Sequence, residues 1–244
     1  MKAIGIIPAR YASSRFPGKP LIDLKGKTMI QRVYENASKA TLLDEVIVAT
    51  DDQRIYDHVI SFGGKVFMTS EKHTSGTDRC GEVMIQLEAD LVINIQGDEP
   101  LVDPIQLDTL LSAFKDDSVQ IATLGPPNIT KDDLSNPNRI KIVKDVTDNA
   151  IYFSRSAIPN DYHFKGESFN FYPFLKHIGL YAFRTNVLLD LVKLEPTKLE
   201  QVESLEQLRW MYYGYKIKIV ETTIETPNID VPKDVELVLS KIIE

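Results

Sequence analysis

Short apolar runs alternate with helix-length amphipathic segments through the first part of this chain. The runs cover residues 3–7, 45–50, 65–68 and 90–95, and apolar positions recur at helical spacing near 28–40, 52–62 and 77–88. A strand that is apolar on both faces is typical of a parallel sheet covered by helices. The alternation therefore predicts a β-α-β-α fold with a mainly parallel central sheet and helices on both of its faces.

The pattern changes from about residue 119. Further strand-like runs at 119–124, 140–143, 150–153 and 178–183 are separated by polar, proline-bearing loops, and a strand at 216–220 precedes a closing helix at 232–243. The chain has 244 residues, which is the upper end of one α/β domain. No linker interrupts it. We therefore expect one domain over 1–244, with a first half to about 120 and a strand-rich second half over 121–244.

Composition excludes several classes of protein. The chain carries 28 basic and 35 acidic residues, a net charge of −7, which is unsuited to general nucleic-acid binding. Cys80 is its single cysteine, so an intrachain disulfide is impossible and a reducing compartment is favoured. Neither a signal peptide nor a membrane-spanning run is recognisable. We expect a soluble cytoplasmic protein with no nucleic-acid or membrane partner.

The loop after the first strand combines several cations with small residues. Arg10, Arg15 and Lys19 fall within ten residues, and Ser13 and Gly18 add a hydroxyl and an accessible backbone. Ligands of open α/β sheets bind outside the carboxyl ends of the strands, which is where this loop begins. A triphosphate needs such convergent donors. The loop is predicted to bind polyphosphate, with a solvated basic loop tip as the alternative.

Two common phosphate motifs are absent. The run Gly26-Lys27-Thr28 resembles the end of a P-loop, but Leu21 stands where that motif needs glycine. The dinucleotide fingerprint G-x-G-x-x-G does not occur. A P-loop ATPase and a Rossmann dehydrogenase are both disfavoured.

Eight sequence blocks follow one another along the chain: I-P-A-R-Y-A-S-S-R-F-P-G-K at 7–19, A-T-D-D at 49–52, H-T-S-G-T-D-R at 73–79, N-I-Q-G-D-E-P at 94–100, Y-F-S-R-S-A-I-P at 152–159, H-I-G-L-Y at 177–181, E-S-L-E-Q-L-R at 203–209 and D-V-P-K-D-V at 230–235. In this order they resemble the sugar nucleotidyltransferases, and more narrowly the family of CMP-Kdo synthetases (Kdo is 3-deoxy-manno-octulosonate). The resemblance implies a Rossmann-like nucleotidyltransferase domain, with a nucleotide-binding half to about 120 and a sugar-binding and dimerisation half over 121–244. It also implies CTP and a Kdo-type sugar acid as substrates, Mg²⁺ as cofactor, a homodimer, and a product used for lipopolysaccharide.

The resemblance also implies a metal and nucleotide site. Asp98 is implied as the first Mg²⁺ ligand and Asp230 as the second, with helix capping as the alternative for Asp230. Together with Lys19 they form the predicted catalytic set. The predicted nucleotide-binding residues are Ala9, Arg10, Ser13, Arg15, Lys19, Ser75, Gly76 and Arg79. Capping of the following helix is the alternative for the 73–79 turn.

The acceptor residues rest mainly on the matching blocks. Arg155 offers a planar fork for a carboxylate. His177 and Tyr181 share a strand face, and Glu203 and Gln207 share a helix face. Gln96 completes the set. A structural histidine and a solvated helix face are the ordinary alternatives for these patterns.

Other residues receive no catalytic role. Asp51 is equally suited to capping the helix that follows, and Cys80 is expected to be a buried small hydrophobe. The strand-rich part after 120 and the aromatic residues near Trp210 are candidates for a dimer interface. Three functions remain open beside transfer to Kdo: transfer to its 8-amino analogue, another sugar nucleotidyltransferase activity, or nucleotide binding without catalysis.

Overall fold

The computed structural model describes residues 1–12, 16–127 and 129–242. Its strands are β1 Ala3–Ala9, β2 Glu45–Thr50, β3 Val66–Met68, β4 Leu91–Asn94, β5 Ile121–Leu124, β6 Lys141–Lys144, β7 Ala150–Ser154, β8 Leu175–Lys176, β9 Ile178–Arg184 and β10 Ile217–Val220. Its α-helices are α1 Met29–Ala37, α2 Gln53–Ser61, α3 Gly76–Met84, α4 Pro104–Ser112, α5 Lys131–Ser135, α6 Ser168–Phe171, α7 Thr185–Leu191, α8 Lys198–Glu203, α9 Gln207–Tyr212 and α10 Asp234–Lys241.

The strands form a large, mainly parallel sheet in the order β10-β5-β9-β4-β1-β2-β3, and a small antiparallel sheet in the order β7-β6-β8. This is the α/β architecture expected from the sequence. The chain divides into two compact units. The first comprises Met1–Leu111, Ala182–Val192 and Thr226–Glu244, and the second comprises Ser112–Tyr181 and Lys193–Glu225.

The first unit is organised around β1. Ile6 of β1 pairs with Ile47 of β2 on one side and with Asn94 of β4 on the other, all in parallel. Ile4, Ile6 and Ile7 are fully buried, which explains why the strand is apolar on both faces. The register brings the carboxyl ends of β1, β2 and β4 to one edge of this sheet.

Helices of the first unit begin at side-chain caps. Thr28 accepts a hydrogen bond from Gln31 N at the start of α1, Asp52 accepts one from Arg54 N at the start of α2, and Ser75 forms a capping box with Asp78 at α3. The carboxylate that caps α2 therefore belongs to Asp52.

The closing helix is shorter than the sequence pattern indicated. It begins at Asp234 rather than at Pro232, because the Asp234 carboxylate accepts hydrogen bonds from the N–H groups of Asp230 and Val231. These bonds hold the segment before the helix in a turn. The Asp230 carboxylate is thus not the cap of this helix.

The second unit contains the antiparallel sheet and the parallel pair β5 and β10. Ile142 of β6 lies opposite Phe153 of β7 and Leu175 of β8, and all three side chains are buried. Trp210 is 1% exposed, so it packs inside this unit, whereas Tyr212 and Tyr213 are exposed. Within the described residues, none of the helices has the length and apolar character required to cross a bilayer.

Candidate active site

A cleft of about 380 Å³ opens in the first unit at the carboxyl ends of β1 and β4. Many residues that the sequence predicted to bind nucleotide, sugar or metal line it: Ala9, Arg10, Lys19, Ser75, Gly76, Arg79, Gln96 and Asp98. Pro8, Ala12, Thr74 and Gly97 also contribute to the lining. Ser13 and Arg15, predicted for the same site, lie outside the described residues.

Lys19 joins three parts of the first unit. Its Nζ donates to Asp98 Oδ2 and to the carbonyl of Ile229, both at 2.8 Å. Ile229 N in turn donates to the backbone carbonyl of Asp98 at 2.9 Å. These bonds bring the segment of Asp230, which is distant in sequence, beside Asp98. The predicted catalytic residues Lys19, Asp98 and Asp230 therefore lie in one neighbourhood.

The two aspartates have ordinary polar surroundings. Asp98 is one-quarter exposed, and Asp230 accepts a hydrogen bond from Asn228 Nδ2 at 3.2 Å. No cluster of three or more His, Cys, Asp and Glu side chains suited to a metal occurs in the ranges 1–12, 16–127 and 129–242. Magnesium commonly binds through one or two carboxylates and takes its remaining ligands from phosphate and water. The pair Asp98 and Asp230 fits that pattern.

Glu99, next to Asp98, differs from it in charge. Burial, with the charge of Asp98 as a second cause, raises the pKa of Glu99 to about 8. Thr226 Oγ1 lies 3.4 Å from its carboxyl group. Near pH 7 Glu99 is therefore mainly neutral, so the negative charge of this corner comes from Asp98 and Asp230.

The turn before α3 forms one wall of the cleft. Ser75 Oγ accepts from Asp78 N at 3.1 Å, and Asp78 Oδ2 accepts from Ser75 N at 3.3 Å. A Cβ added at Gly76 would lie 3.2 Å from Pro8 Cγ, so the turn packs closely against the end of β1. The helix start combines capping with a place at the cleft, where its N-terminal partial charge favours anions.

Arg79 has a partner that the sequence pattern did not reveal. Its guanidinium is 1% exposed, donates from Nη2 to Asp51 Oδ2 at 2.6 Å, and donates from Nη1 to Thr69 Oγ1. Arg10 Nε lies 3.8 Å from the same Asp51 oxygen. The available signal was the pair of adjacent aspartates after β2: because only one of them caps α2, the other is left for another partner.

Tyr11, next to Arg10, is also held by the β2–α2 turn. The guanidinium of Arg54 lies 3.3 Å from the centroid of its ring, and Arg54 is paired with Asp52. Gly18 N donates to the carbonyl of Tyr11 at 2.9 Å, so residues from the beginning and the end of the basic loop are hydrogen-bonded to each other.

In the second unit, the structure brings Arg155 and Glu203 together. Glu203 accepts hydrogen bonds from Ser154 Oγ at 2.7 Å and from Arg155 N at 3.0 Å. Burial acts to raise the pKa of Glu203, but these hydrogen bonds and the Arg155 charge hold it below its ordinary value. The Arg155 guanidinium donates to the backbone carbonyls of Pro137, Glu203 and Ser204. Its predicted contact with a sugar carboxylate stays a prediction.

His177 and Tyr181 also lie together, with ring centroids 5.2 Å apart. His177 Nε2 lies 3.1 Å from Thr123 Oγ1, and burial lowers the pKa of the imidazole to about 3, so the ring is neutral. Gln207 is buried, and its Nε2 has no hydrogen-bond partner among the described residues. A buried donor without a partner is uncommon in a folded protein and requires an explanation, such as a role in function.

Comparison with known proteins identifies the family of the chain. The family model described as cytidylyltransferase matches residues 4–219. The chain is 51% identical over 250 residues to a 3-deoxy-manno-octulosonate cytidylyltransferase of Parabacteroides distasonis, with 98% of each chain covered. It is 48% identical to an 8-amino-3,8-dideoxy-manno-octulosonate cytidylyltransferase of Shewanella frigidimarina, with 96% of each covered.

A solved structure extends the likeness to three dimensions. The structure of a CMP:2-keto-3-deoxy-manno-octonic acid synthetase complexed with CTP superposes with a TM-score of 0.92 at 45% identity, covering 98% of each chain. Sequence and fold thus agree over nearly the whole length. The chain belongs to the cytidylyltransferase family and, within it, groups with the 3-deoxy-manno-octulosonate cytidylyltransferases.

Proposed function

We propose that this enzyme transfers CMP from CTP to Kdo and releases pyrophosphate, with the product used for lipopolysaccharide assembly. The observation that carries the proposal is the contact of Lys19, at the cleft, with both Asp98 and the Ile229 carbonyl. It supports a phosphate-binding role for Lys19 beside Asp98 and the segment of Asp230, whose two carboxylates we propose as ligands of a divalent ion. The names of relatives that are about half identical supply the substrates.

The residues of the first unit would act on the triphosphate. Arg10 and Lys19 face the cleft with fixed positive charges, and Arg15 of the same loop is proposed to join them. Ser75, Gly76 and Arg79 also line the cleft, and we propose that they bind the pyrimidine nucleoside, which needs few, well-placed polar groups. Fixed cations stabilise the charge that develops on a leaving pyrophosphate without having to reorganise.

Asp98 and Asp230 would hold Mg²⁺. An ion held there would supply Lewis-acid chemistry, which neutralises phosphate charge and makes a nearby hydroxyl more acidic. The acceptor's anomeric hydroxyl then attacks the α-phosphorus in line. A new P–O bond forms, the bond to the β-phosphate oxygen breaks, and the hydroxyl proton passes to solvent. No covalent enzyme intermediate and no dedicated protein base are required; the chain contributes position and charge.

The acceptor would be recognised by Gln96, Arg155, His177, Tyr181, Glu203 and Gln207. Gln207 supports this assignment. Its Nε2 is buried and has no partner in the described structure, so it is available to donate a hydrogen bond to a polyhydroxylated ligand. The His177 ring is neutral, so it is better suited to hydrogen bonding with a hydroxyl group of the sugar than to pairing with the sugar's carboxylate. A relative named for the 8-amino sugar keeps that analogue as the second candidate acceptor.

We further propose a homodimer in the cytoplasm. Val146, Ile151, Tyr162 and Phe171 of the second unit are all more than half exposed, and large exposed apolar side chains of this kind favour association. Cys80, the single cysteine, is buried as a thiol, which suits a reducing compartment. Light scattering on the purified chain tests the dimer, since a monomeric mass at micromolar concentration would contradict it.

Release of pyrophosphate tests the reaction itself. The purified chain is mixed with CTP, Mg²⁺ and Kdo, and each component is omitted in turn; the 8-amino sugar and a hexose 1-phosphate replace Kdo in parallel. Pyrophosphate that requires all three components, with Kdo the best acceptor, supports the proposal. CTP binding without pyrophosphate release would indicate a nucleotide-binding regulator, and preference for another acceptor would assign the chain to that sugar.

A further inference from the structure

The turn between β2 and α2 presents two adjacent aspartates that perform different tasks. Asp52 caps α2 through Arg54 N at 2.9 Å and forms an ion pair with the Arg54 side chain. Asp51 does neither. Its carboxylate instead contacts Arg79 of α3 and lies close to Arg10.

The Arg79 contact meets a physical requirement. A guanidinium that is 1% exposed has lost nearly all of its hydration, so its charge has to be balanced by fixed partners. Asp51 supplies the charged hydrogen bond at 2.6 Å and Thr69 supplies a neutral one. The two acceptors come from the ends of different strands, which fixes the orientation of the guanidinium plane.

Arg10 reaches Asp51 from the other side. Its Nε lies 3.8 Å from the same Oδ2 atom, and its side chain is more than one-third exposed. One carboxylate therefore stands between a buried cation in the α3 wall and an accessible cation at the start of the basic loop. Both cations line the cleft.

We infer that Asp51 is a positioning residue for CTP, which holds Arg79 and Arg10 in the orientation that the bound nucleotide requires. It touches neither substrate nor metal in this assignment and acts only through the two arginines. The inference rests on the proposed function in one respect, that the occupant of the cleft is a cytidine nucleotide.

Two physical effects of Asp51 on CTP affinity have opposite signs. As a negative charge near a triphosphate, it weakens binding; at a separation of about 10 Å in water-like surroundings this effect is roughly twofold for each unit of negative charge on the triphosphate. As the partner that orients two cations, it strengthens binding, and loss of a charged hydrogen bond at such a site changes affinity by about tenfold or more. Whether CTP affinity falls or rises when the Asp51 charge is removed therefore shows which effect is larger, orientation of the arginines or repulsion of the triphosphate.

The test is calorimetric titration of the full chain with CTP and Mg²⁺, comparing wild type with Asp51→Asn, which keeps the size and removes the charge. We expect Kd for CTP to rise by about tenfold, and Asp51→Glu, which restores the charge, to recover part of it. Asp108→Asn is the matched control, because Asp108 binds Thr41 N and Leu42 N and does not line the cleft. An unchanged or lower Kd for Asp51→Asn would overturn the inference.

A double-mutant cycle with Arg79→Lys measures how strongly the two substitutions are coupled in their effect on Kd for CTP. A general loss of stability would not produce such coupling. If Asp51 acts through Arg79 as well as Arg10, Asp51→Asn costs less affinity once Arg79 has been changed, and the remainder is the part that acts through Arg10. Fully additive effects on Kd would overturn the inference.

The titration contains no acceptor, so a chain that binds CTP but does not transfer CMP to Kdo contradicts the proposed function alone. Normal transfer with no effect of Asp51→Asn contradicts this inference alone.

Discussion

Lys19 Nζ and Asp98 Oδ2 lie 2.8 Å apart, and the same ammonium group also binds the carbonyl of Ile229. Lys19 thereby ties the basic loop after β1 to the segment after β4 and to the segment that carries Asp230. A cation held by one carboxylate and one backbone carbonyl at the edge of the cleft is well placed to turn toward a bound phosphate. The relationship links the charge of the loop to the metal chemistry proposed for the cleft.

Lys19→Met should weaken the use of CTP much more than the use of the sugar. The substitution keeps an unbranched apolar stem and removes the charge, so we expect KM for CTP to rise by about tenfold, as for loss of a charged contact, while KM for Kdo changes by less than about twofold. Initial rates with each substrate varied in turn measure both constants. Lys27→Met is the control, because Lys27 forms a surface pair with Glu35. Equal changes in the two constants would contradict the assignment.

Gly97→Ala should damage both the fold and the cleft. A Cβ at this position would meet the carbonyl oxygen of Pro8 at 2.7 Å, so the backbone of β1 or of the Asp98 segment has to move. We expect a loss of about 1–3 kcal/mol in the free energy of unfolding together with a higher KM for CTP.

Gly26→Ala provides the comparison for that variant. Gly26 has a positive φ of 78° but nothing within 4 Å of an added Cβ, and it does not line the cleft. Its substitution should cost about 1 kcal/mol through backbone strain and leave KM unchanged. Urea unfolding and initial rates measure the two quantities, and a Gly97→Ala enzyme with normal KM would show that the close approach to Pro8 has no bearing on the site.

Gln207→Met should separate stability from acceptor binding. The substitution removes a buried Nε2 that has no partner in the described structure, and an unsatisfied buried donor costs roughly 1–3 kcal/mol. We therefore expect the melting temperature to be maintained or raised while KM for Kdo rises several-fold and KM for CTP stays the same. Differential scanning calorimetry and initial rates check this pair of effects. A less stable variant with unchanged KM for Kdo would place Gln207 in the packing of the fold.

His177 should contribute a pH-dependent part of the stability. Because burial lowers its pKa in the folded chain from 6.5 to about 3, the unfolded chain binds a proton between these values that the folded chain does not. Folded-state stability is therefore lost as the pH falls below about 6.5, by at most about 1.4 kcal/mol per pH unit.

Urea unfolding of wild type and His177→Asn from pH 8 to pH 5 isolates this contribution from that of other groups. The stability margin of wild type over the variant should be constant above pH 7 and shrink toward pH 5. A margin that does not vary with pH would mean that the imidazole is more accessible to water in solution than it is in the structure.

The apolar runs of the first half predicted its strands well, because a strand buried on both faces leaves few alternatives. The 7–19 block indicated the basic loop for the same reason: its cations follow a strand that has to end at the ligand-binding edge. Lys19 was expected at the phosphate, but its bond to the Ile229 carbonyl was not predictable, since a backbone acceptor far along the chain leaves no pattern in side chains.

Other features depend on three-dimensional context in the same way. Asp51 and Asp52 are chemically identical neighbours, and only the backbone geometry after β2 decides which caps α2 and which reaches Arg79. The start of α10 moved from Pro232 to Asp234 because a side chain inside the helix binds N–H groups before it. Arg155 is another example. Its guanidinium donates to three backbone carbonyls, and contacts with backbone atoms cannot be predicted from a pattern of side chains.

Asp98 and Asp230 are proposed to hold one divalent ion at the nucleotide. A crystal structure of the chain with CTP and Mn²⁺, in which anomalous scattering locates the metal, would show whether they do. We expect an anomalous peak coordinated by carboxylate oxygens of Asp98 and Asp230 and by phosphate oxygens of CTP, with Lys19 and Arg10 on the triphosphate. A metal bound elsewhere, or a CTP whose phosphates avoid the loop after β1, would contradict it.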